Sequence, residues 1–199
     1  MRGILAALAL MGLTPGASAA QRSWGVGLEV GIERFWGASG PLAGADEVAL
    51  RPYRPTHIGI RVDRGVGPLR VALNARYARS AVAGEYEGGA TVFTDGFTVI
   101  ELAPEAAVAL VGLGPGAAVR AFAGPVVRFW LPPEESARTR LGARGGLELE
   151  ASLGTRVSAI TRLHAGIAAS ALDDADVPPG YEVRPMPSAG VALGIRLGL

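Results

Sequence analysis

The feature that most constrains this sequence is a strict alternation of apolar with small or acidic residues near its start. From Trp24 to Glu33, every even position is apolar and every odd position is glycine or glutamate. A side-chain period of two is typical of a β-strand, because successive side chains point to opposite faces. The same pattern returns seven more times along the chain, which predicts eight strands in total.

The predicted strands span about residues 23–36, 53–64, 69–80, 96–111, 117–130, 139–153, 160–171 and 186–199. The connections between them alternate between long and short, beginning with a long one at residues 37–52. This rhythm and the even strand count predict an all-β fold, an eight-stranded antiparallel up-and-down transmembrane β-barrel. Pro104 lies inside the fourth predicted strand, where it predicts a bulge or a break in the hydrogen-bond ladder.

The first twenty residues resemble a cleaved secretory signal peptide. A short basic start precedes an apolar run from Ile4 to Leu13, and small residues follow at positions 17–20. Cleavage after Ala19 and cleavage after Ala20 both fit this pattern, and a short buried N-terminal helix is the alternative interpretation. We therefore expect residues 1–20 to be removed and residues 21–199 to form one barrel domain.

The composition agrees with a membrane barrel. Hydrophobic residues make up 49% of the chain and its mean hydropathy is +0.31, yet no run of 18 apolar residues follows the leader. Cysteine is absent, which excludes disulfides and thiolate metal sites. The formal net charge is +1, so the sequence carries no basic signature of nucleic-acid binding.

Alternation alone does not say which face of each strand lies inside. A soluble lipocalin-type barrel would turn its apolar face inward. Here the polar faces interleave charged residues with glycine and alanine, as a narrow interior requires. The apolar faces contain almost no phenylalanine or tryptophan, which a densely packed soluble core would need. We therefore predict that the polar face is inside and that the apolar face meets lipid.

This orientation predicts an interior network of charged side chains. The strand faces assign to it Glu29, Glu33, Arg61, Asp63, Arg70, Arg76, Glu101, Glu105, Arg120, Arg128, Arg144, Glu148, Glu150, Arg162 and Arg196. Counting from the short turns, Glu105 should lie near Arg76, and Arg120 near Glu148 and Glu150.

Glu29 and Glu33 on the first strand are expected to pair with the neighbouring strands that carry Arg61 and Arg196. Gly25, Gly27 and Gly31 are expected to leave space for these large side chains. The network has two interpretations, a gated ion path or a structural plug. We favour the plug, because side chains roughly fill an eight-stranded interior.

Aromatic residues near the strand ends are expected to form girdles at the membrane interfaces. The predicted members at the long-loop ends are Phe35, Trp36, Tyr53, Tyr77, Phe97, Phe129, Trp130 and Tyr181, and the other end has only Trp24.

Catalytic and metal chemistry find little support in the sequence. His57 and His164 are the only histidines, and Ser170 is six residues from His164, about 20 Å along a strand. A nucleophilic site needs serine and histidine within hydrogen-bond reach. The acidic run at Asp173–Asp176 lacks the spacing of a calcium loop. We expect no catalytic residue, no cofactor and no metal.

Together, the leader, the eight alternating strands and the charged inner face resemble the small outer-membrane barrel family of the OmpA transmembrane domain and OmpX. The resemblance covers about residues 21–199 and is architectural. It implies localisation in the outer membrane of a Gram-negative-type bacterium. It also implies contacts with outer-membrane lipids and lipopolysaccharide, and help from the barrel-assembly machinery. The resemblance does not indicate which extracellular partner the protein would bind.

The function that these features favour is that of a non-enzymatic barrel with a structural or surface-interaction role through its loops. The alternatives are a small passive pore, a lipid A-modifying barrel enzyme and a soluble secreted barrel.

Overall fold

A computed structural model describes residues 24–41, 49–86, 89–133, 136–177 and 179–199. The predicted signal peptide lies outside these residues. The strands are β1 (Trp24–Phe35), β2 (Ser39–Pro41), β3 (Ala49–Val66), β4 (Leu69–Tyr86), β5 (Gly89–Gly112), β6 (Ala117–Leu131), β7 (Arg138–Ser152), β8 (Val157–Ala168), β9 (Tyr181–Val183) and β10 (Met186–Gly198). One turn of 3₁₀ helix spans Asp174–Asp176.

Eight of these strands close into an antiparallel barrel in the order β1-β10-β8-β7-β6-β5-β4-β3. The closing contact is the pairing of β1 with β10, which runs from Gly25–Gly198 to Phe35–Ser188. Because each barrel strand pairs with its neighbours in sequence, the topology is up-and-down, and the predicted fold class is confirmed. The short strands β2 and β9 form a separate two-stranded sheet.

The two ends of the barrel differ in their connections. At the turn end, short connections such as the one between Val66 and Leu69 join neighbouring strands. At the loop end, β3, β4 and β5 continue well beyond the predicted strand limits, because Ala49 still pairs with Glu85 and Tyr86 with Gly89. These extensions are paired along their backbones, although their sequences lack the regular alternation that marks the rest of each strand.

The structure has a break in the hydrogen-bond ladder at Pro104, as one of the two expected irregularities, and no change of register there. Between Leu102 and Ala106 the β5–β6 pairing is interrupted, in a stretch where β6 carries Pro125. Neither proline has an N–H to donate to the ladder. The pairing resumes at Ala106 in the same register. The register of β5 against β6 changes only nearer the turn end, after Ala109.

The faces of the barrel are inverted relative to a soluble protein. Leu141 and Leu28 are 68% and 64% exposed on the outside, whereas the interior Arg61 is only 2% exposed and Glu148 is fully buried. An apolar belt of this kind, continuous around the strands, is unstable in water and suits a lipid environment. The predicted orientation is therefore correct for the described strands.

The interior at the loop end contains an apolar cluster. The cluster consists of Phe35, Ala38, Ala78, Val99, Trp130, Ala171, Leu172 and Met186, with Leu50, Phe97 and Val177 packed against it. We call these residues the apolar cap. The rings of Phe35 and Phe97 both meet Trp130 edge-on, at centroid distances of 5.8 and 5.7 Å.

The apolar cap corrects part of the predicted aromatic girdle. Trp130 and Phe35 are buried inside the barrel, and Phe97 is half-buried against Trp130, so none of the three faces lipid. The other predicted members fall into two groups. Trp24, Trp36 and Tyr77 are exposed on the outer surface, as expected for girdle residues, and Tyr53, Phe129 and Tyr181 are half-buried.

Candidate functional site in the barrel interior

The interior below the apolar cap is charged. Of the fifteen predicted network residues, twelve are buried, and Glu29, Arg70 and Arg120 are half-buried. Each stands on the inward face of its strand because of the period of two. A buried charge is tolerated when it is paired and hydrogen-bonded, and the contacts fall into three layers along the barrel axis.

The layer at the turn end is centred on Asp63 and Glu150. Arg196 donates to both carboxylate oxygens of Asp63, through Nε at 2.9 Å and through Nη2 at 2.8 Å. Glu150 accepts from Arg120 at 2.5 Å and from Arg70 at 2.8 Å. This layer therefore brings together side chains from β3, β4, β6, β7 and β10 at the mouth of the barrel.

The middle layer is centred on Glu148 and Glu105, both of which are buried. Glu148 accepts a hydrogen bond from Arg61 and lies 3.3 Å from Arg70. Glu105 accepts from Arg144 Nε at 2.7 Å and from Arg162 Nη2 at 2.5 Å. Each of these two acids contacts at least two arginines, so its negative charge is compensated locally.

The layer beneath the apolar cap is centred on Arg128. Its Nε donates to Glu101 at 2.7 Å and its Nη2 donates to Glu33 at 2.9 Å. Its guanidinium carbon also lies 4.9 Å from the ring centroid of Phe35. Arg128 thus connects the charged network with the apolar cap.

Two ion pairs among the described residues span the lumen. In the closed strand order, β3 lies opposite β7 and β1 lies opposite β6. Arg61–Glu148 joins the first of these pairs of strands, and Glu33–Arg128 joins the second. An arginine side chain is long enough to reach the far wall of an eight-stranded barrel, whose interior is only wide enough for side chains.

One predicted contact is present, since Arg120 and Glu150 are 2.5 Å apart. The predicted proximity of Glu105 and Arg76 is wrong. Arg76 instead binds Glu29 at 2.5 Å and lies 3.7 Å from Glu101.

The pairing predicted for Glu29 and Glu33 with the adjacent strands is also wrong. Glu29 pairs with Arg76 and Arg162, and Glu33 pairs with Arg128, none of which is on β3 or β10. The prediction considered only neighbouring strands, whereas Glu29 reaches strands two places away around the barrel and Glu33 reaches the opposite wall.

Two network residues were missing from the sequence prediction. Asn74 donates from Nδ2 to Glu105 at 2.7 Å. Phe122 lies under Arg162, with 4.0 Å between the guanidinium carbon and the ring centroid. Both lie at inward positions of their strands. The alternation would therefore have identified them if the prediction had included uncharged residues.

Glycines supply the room for this network. A Cβ atom on Gly25 would overlap the guanidinium of Arg196, and one on Gly31 would lie 2.7 Å from the ring of His57. A pocket in the wall, lined by Glu29 and Arg162 on the inner side and by the exposed Leu28 and Leu193 on the outer side, has a volume of about 10 Å³, which is space for about one water molecule. The described interior is therefore packed with side chains.

The two histidines meet inside the barrel, beside Glu33. Their rings are 6.2 Å apart and nearly edge-to-face, and His164 Nε2 is 4.0 Å from a Glu33 oxygen. Ser170 is engaged elsewhere, because its Oγ donates to the Ala38 carbonyl at 2.7 Å and accepts from the Leu172 amide at 3.1 Å. Among the described residues, no hydrogen bond joins a serine to either histidine.

The acidic run in the β8–β9 connection is held by arginines. Asp176 pairs with Arg138, and Asp173 lies 2.5 Å from Arg140. Partial burial opposes ionisation of Asp176. The hydrogen bonds from Arg138 and from the Asp173 amide nevertheless hold the pKa of Asp176 below its usual value. Within the described residues, no group of three or more histidine or carboxylate side chains is arranged to hold a metal ion.

The fold is similar to that of known bacterial proteins. Neisserial surface protein A superposes with a TM-score of 0.55 at 9% identity, covering 87% of this chain and 96% of that one. A major outer membrane protein from Thermus thermophilus superposes with a TM-score of 0.52 at 15% identity, covering 88% and 99%. No family model matches the sequence, and the comparison with curated proteins found no match.

At these identities the likeness concerns the fold. The fold is that of the small eight-stranded outer-membrane β-barrels, the class that the sequence also resembles. Both compared proteins are outer-membrane or surface proteins by name. In the described part of the chain, no helix has the length and apolar character needed to cross a bilayer.

Proposed function

We propose that this chain is an integral outer-membrane barrel whose lumen is closed by ion pairs and whose role is structural or surface-interacting. The observation that carries the proposal is the pair of lumen-spanning contacts, Arg61–Glu148 and Glu33–Arg128. They connect opposite walls at two heights, and the apolar cap covers them at the loop end. An ion crossing this interior would have to separate buried pairs and leave charges uncompensated, which is costly.

The proposal places the protein in the outer membrane of a Gram-negative-type bacterium, after export through the predicted signal peptide. The exposed apolar belt and the fold of the compared proteins support this placement. The barrel-assembly machinery would insert the protein, and the loop end would face the outside, as in barrels with alternating short turns and long loops.

The first experiment measures conductance. Refolded protein in planar bilayers should show no stepwise current, and Glu148→Gln should raise leakage because it removes the nearest carboxylate from Arg61, which keeps only Asp63 at 3.8 Å. Arg156→Gln, at an exposed position in the β7–β8 turn, is the control and should behave as the wild type. Stepwise conductance of the wild type would instead favour a small passive pore.

The second experiment tests localisation and the absence of catalysis. The protein should fractionate with outer membranes and migrate faster on gels before heating than after it. Lipid A mass spectra from a deletion strain should match those of the parent. A mass change restored by the wild-type gene would replace the proposal with a lipid A-modifying activity, and recovery in the soluble fraction would exclude a membrane barrel.

A further inference from the structure

Three arginines face outward together at the loop end of the barrel. Arg34 and Arg54 each lie two residues beyond the last β1–β3 pair, Ile32–Thr56, and Arg79 on β4 is the partner of Thr56. All three side chains are exposed. They stand next to the loop-end edge of the apolar belt, where Ile32 and Ile58 are 56% and 61% exposed.

Each arginine is oriented by an aromatic neighbour. The guanidinium carbon of Arg34 lies 5.4 Å from the Trp36 ring centroid, and that of Arg54 lies 5.7 Å from the Tyr53 centroid. Arg79 Nε donates to the Tyr77 hydroxyl at 3.2 Å. Tryptophan and tyrosine prefer the level of the lipid headgroups, so these neighbours hold the cations at that depth.

None of the three arginines is paired with a carboxylate among the described residues. This distinguishes them from the eight arginines of the interior network, each of which contacts an acid. Apart from the Nε–H of Arg79, which donates to Tyr77, their guanidinium N–H groups therefore remain available to an anion from outside the chain.

The cationic surface is confined to one side of the barrel. On the other five strands, the outward residues at about this level are all uncharged, namely Thr98, Leu131, Thr139, Ile167 and Pro187. Neighbouring strands are about 5 Å apart, so the three arginines span about 10 Å of the surface. A general attraction to anionic lipid would not require the arginines to be clustered. Simultaneous contact with one lipid headgroup about 10 Å wide would require it.

We propose that Arg34, Arg54 and Arg79 form a binding site for the phosphate groups of a phosphorylated lipid in the leaflet at the loop end. Guanidinium groups bind phosphate oxygens through paired N–H donors, and their charge is retained at any physiological pH. The lipid chains would lie along the apolar belt beneath Ile32 and Ile58. The site depends on the membrane orientation proposed above, and it specifies phosphate as the group of the lipid that the protein binds.

The test compares charge-removing variants for lipid binding. Wild type, Arg34→Gln, Arg54→Gln, Arg79→Gln and the triple variant are refolded in detergent and titrated with diphosphorylated lipid A. Bound lipid is counted by native mass spectrometry. Arg64→Gln is the matched control, because Arg64 also stacks on an exposed aromatic ring, Trp24 at 5.2 Å, but does so at the turn end.

Each single substitution should weaken binding about fivefold, and the triple substitution about a hundredfold, since a juxtamembrane arginine contributes about 1 kcal/mol to anionic lipid binding. Arg64→Gln should bind as the wild type does. Lipid A stripped of its phosphates should bind all forms equally weakly, and excess inorganic phosphate should not displace the intact lipid.

Equal losses in Arg64→Gln and the triple variant would overturn the site, as would wild-type binding of dephosphorylated lipid A at full affinity. Displacement by inorganic phosphate would point to a free phosphate site in place of a lipid site. Heat-modifiable migration of every variant is checked first, so that misfolding is recognised. Failure of outer-membrane fractionation would refute the proposed function, whereas unchanged lipid binding in a correctly localised triple variant would refute this inference alone.

Discussion

Arg61 and Glu148 are separated by 87 positions in the sequence, yet they form a buried ion pair between opposite walls of the barrel. Neither side chain has more than 3% of its surface exposed. Because the pair bridges β3 and β7, it connects two walls of the barrel that share no backbone hydrogen bonds. The interior network therefore holds opposite walls together in addition to filling the lumen.

Removing one partner of this pair should destabilise the barrel strongly. Glu148→Gln leaves Arg61 with only Asp63, 3.8 Å from its Nε, and losses of about 3–5 kcal/mol in the free energy of unfolding are typical when one partner of a buried pair is removed. The double variant Arg61→Gln/Glu148→Gln should lose less than the sum of the two single variants. Urea unfolding in lipid vesicles, followed by gel migration, measures these differences. A double variant whose loss equals the sum would show that the two residues do not interact.

The closest strand contacts in the wall should not tolerate a side chain. A Cβ atom at Gly146 would overlap the Leu163 carbonyl oxygen, which belongs to the backbone and cannot rotate away. Gly146→Ala should therefore cost about 1–3 kcal/mol of unfolding free energy. Gly154→Ala is the control, because nothing lies within 4 Å of its added Cβ, and it should change stability by less than about 0.5 kcal/mol. Equal stabilities for both variants would contradict the predicted close approach.

Trp130 should be shielded from lipid. A variant that retains Trp130 as its only tryptophan, made by Trp24→Phe and Trp36→Phe, is refolded into vesicles with brominated lipid chains. Its fluorescence should be quenched little, because Trp130 is fully buried in the apolar cap. A matching variant that retains only Trp36, which is 39% exposed, should be quenched strongly. Strong quenching of Trp130 would show that its side chain faces lipid, as the predicted girdle requires.

The ion pair of Asp176 makes a pH-dependent contribution at the loop end. Its folded pKa is below the unfolded value of about 3.9, so the contribution is fully present above that pH and is lost as the pH falls through the folded pKa. An NMR titration of the Asp176 carboxyl carbon should have a midpoint below that of an unfolded aspartate. Arg138→Gln should raise the midpoint, and Arg156→Gln should leave it unchanged. A midpoint insensitive to Arg138 would show that the pair does not form.

The alternation of side-chain direction along each strand made much of this structure predictable from the sequence. A period of two is a local property, so it identified eight strands, assigned Arg61 and Glu148 to the same inner space and placed Leu28 outside. The short turns were recognisable from glycine and proline, whose backbone preferences are also local.

Partner choice in the interior depended on the closed tertiary structure. Glu33 could be assigned to the inner face from its position, but its pairing with Arg128 depends on which walls face each other once β1 meets β10. Trp130 lies on the same face of β6 as Arg128, so its inward direction also follows from the alternation, but its contacts with Phe35 and Met186 require closure of the barrel. The sequence by itself determined the strands and their two faces, because side-chain direction alternates along any extended backbone. Only the tertiary structure decided which charges meet and where the lumen becomes apolar, because both depend on distances across the barrel.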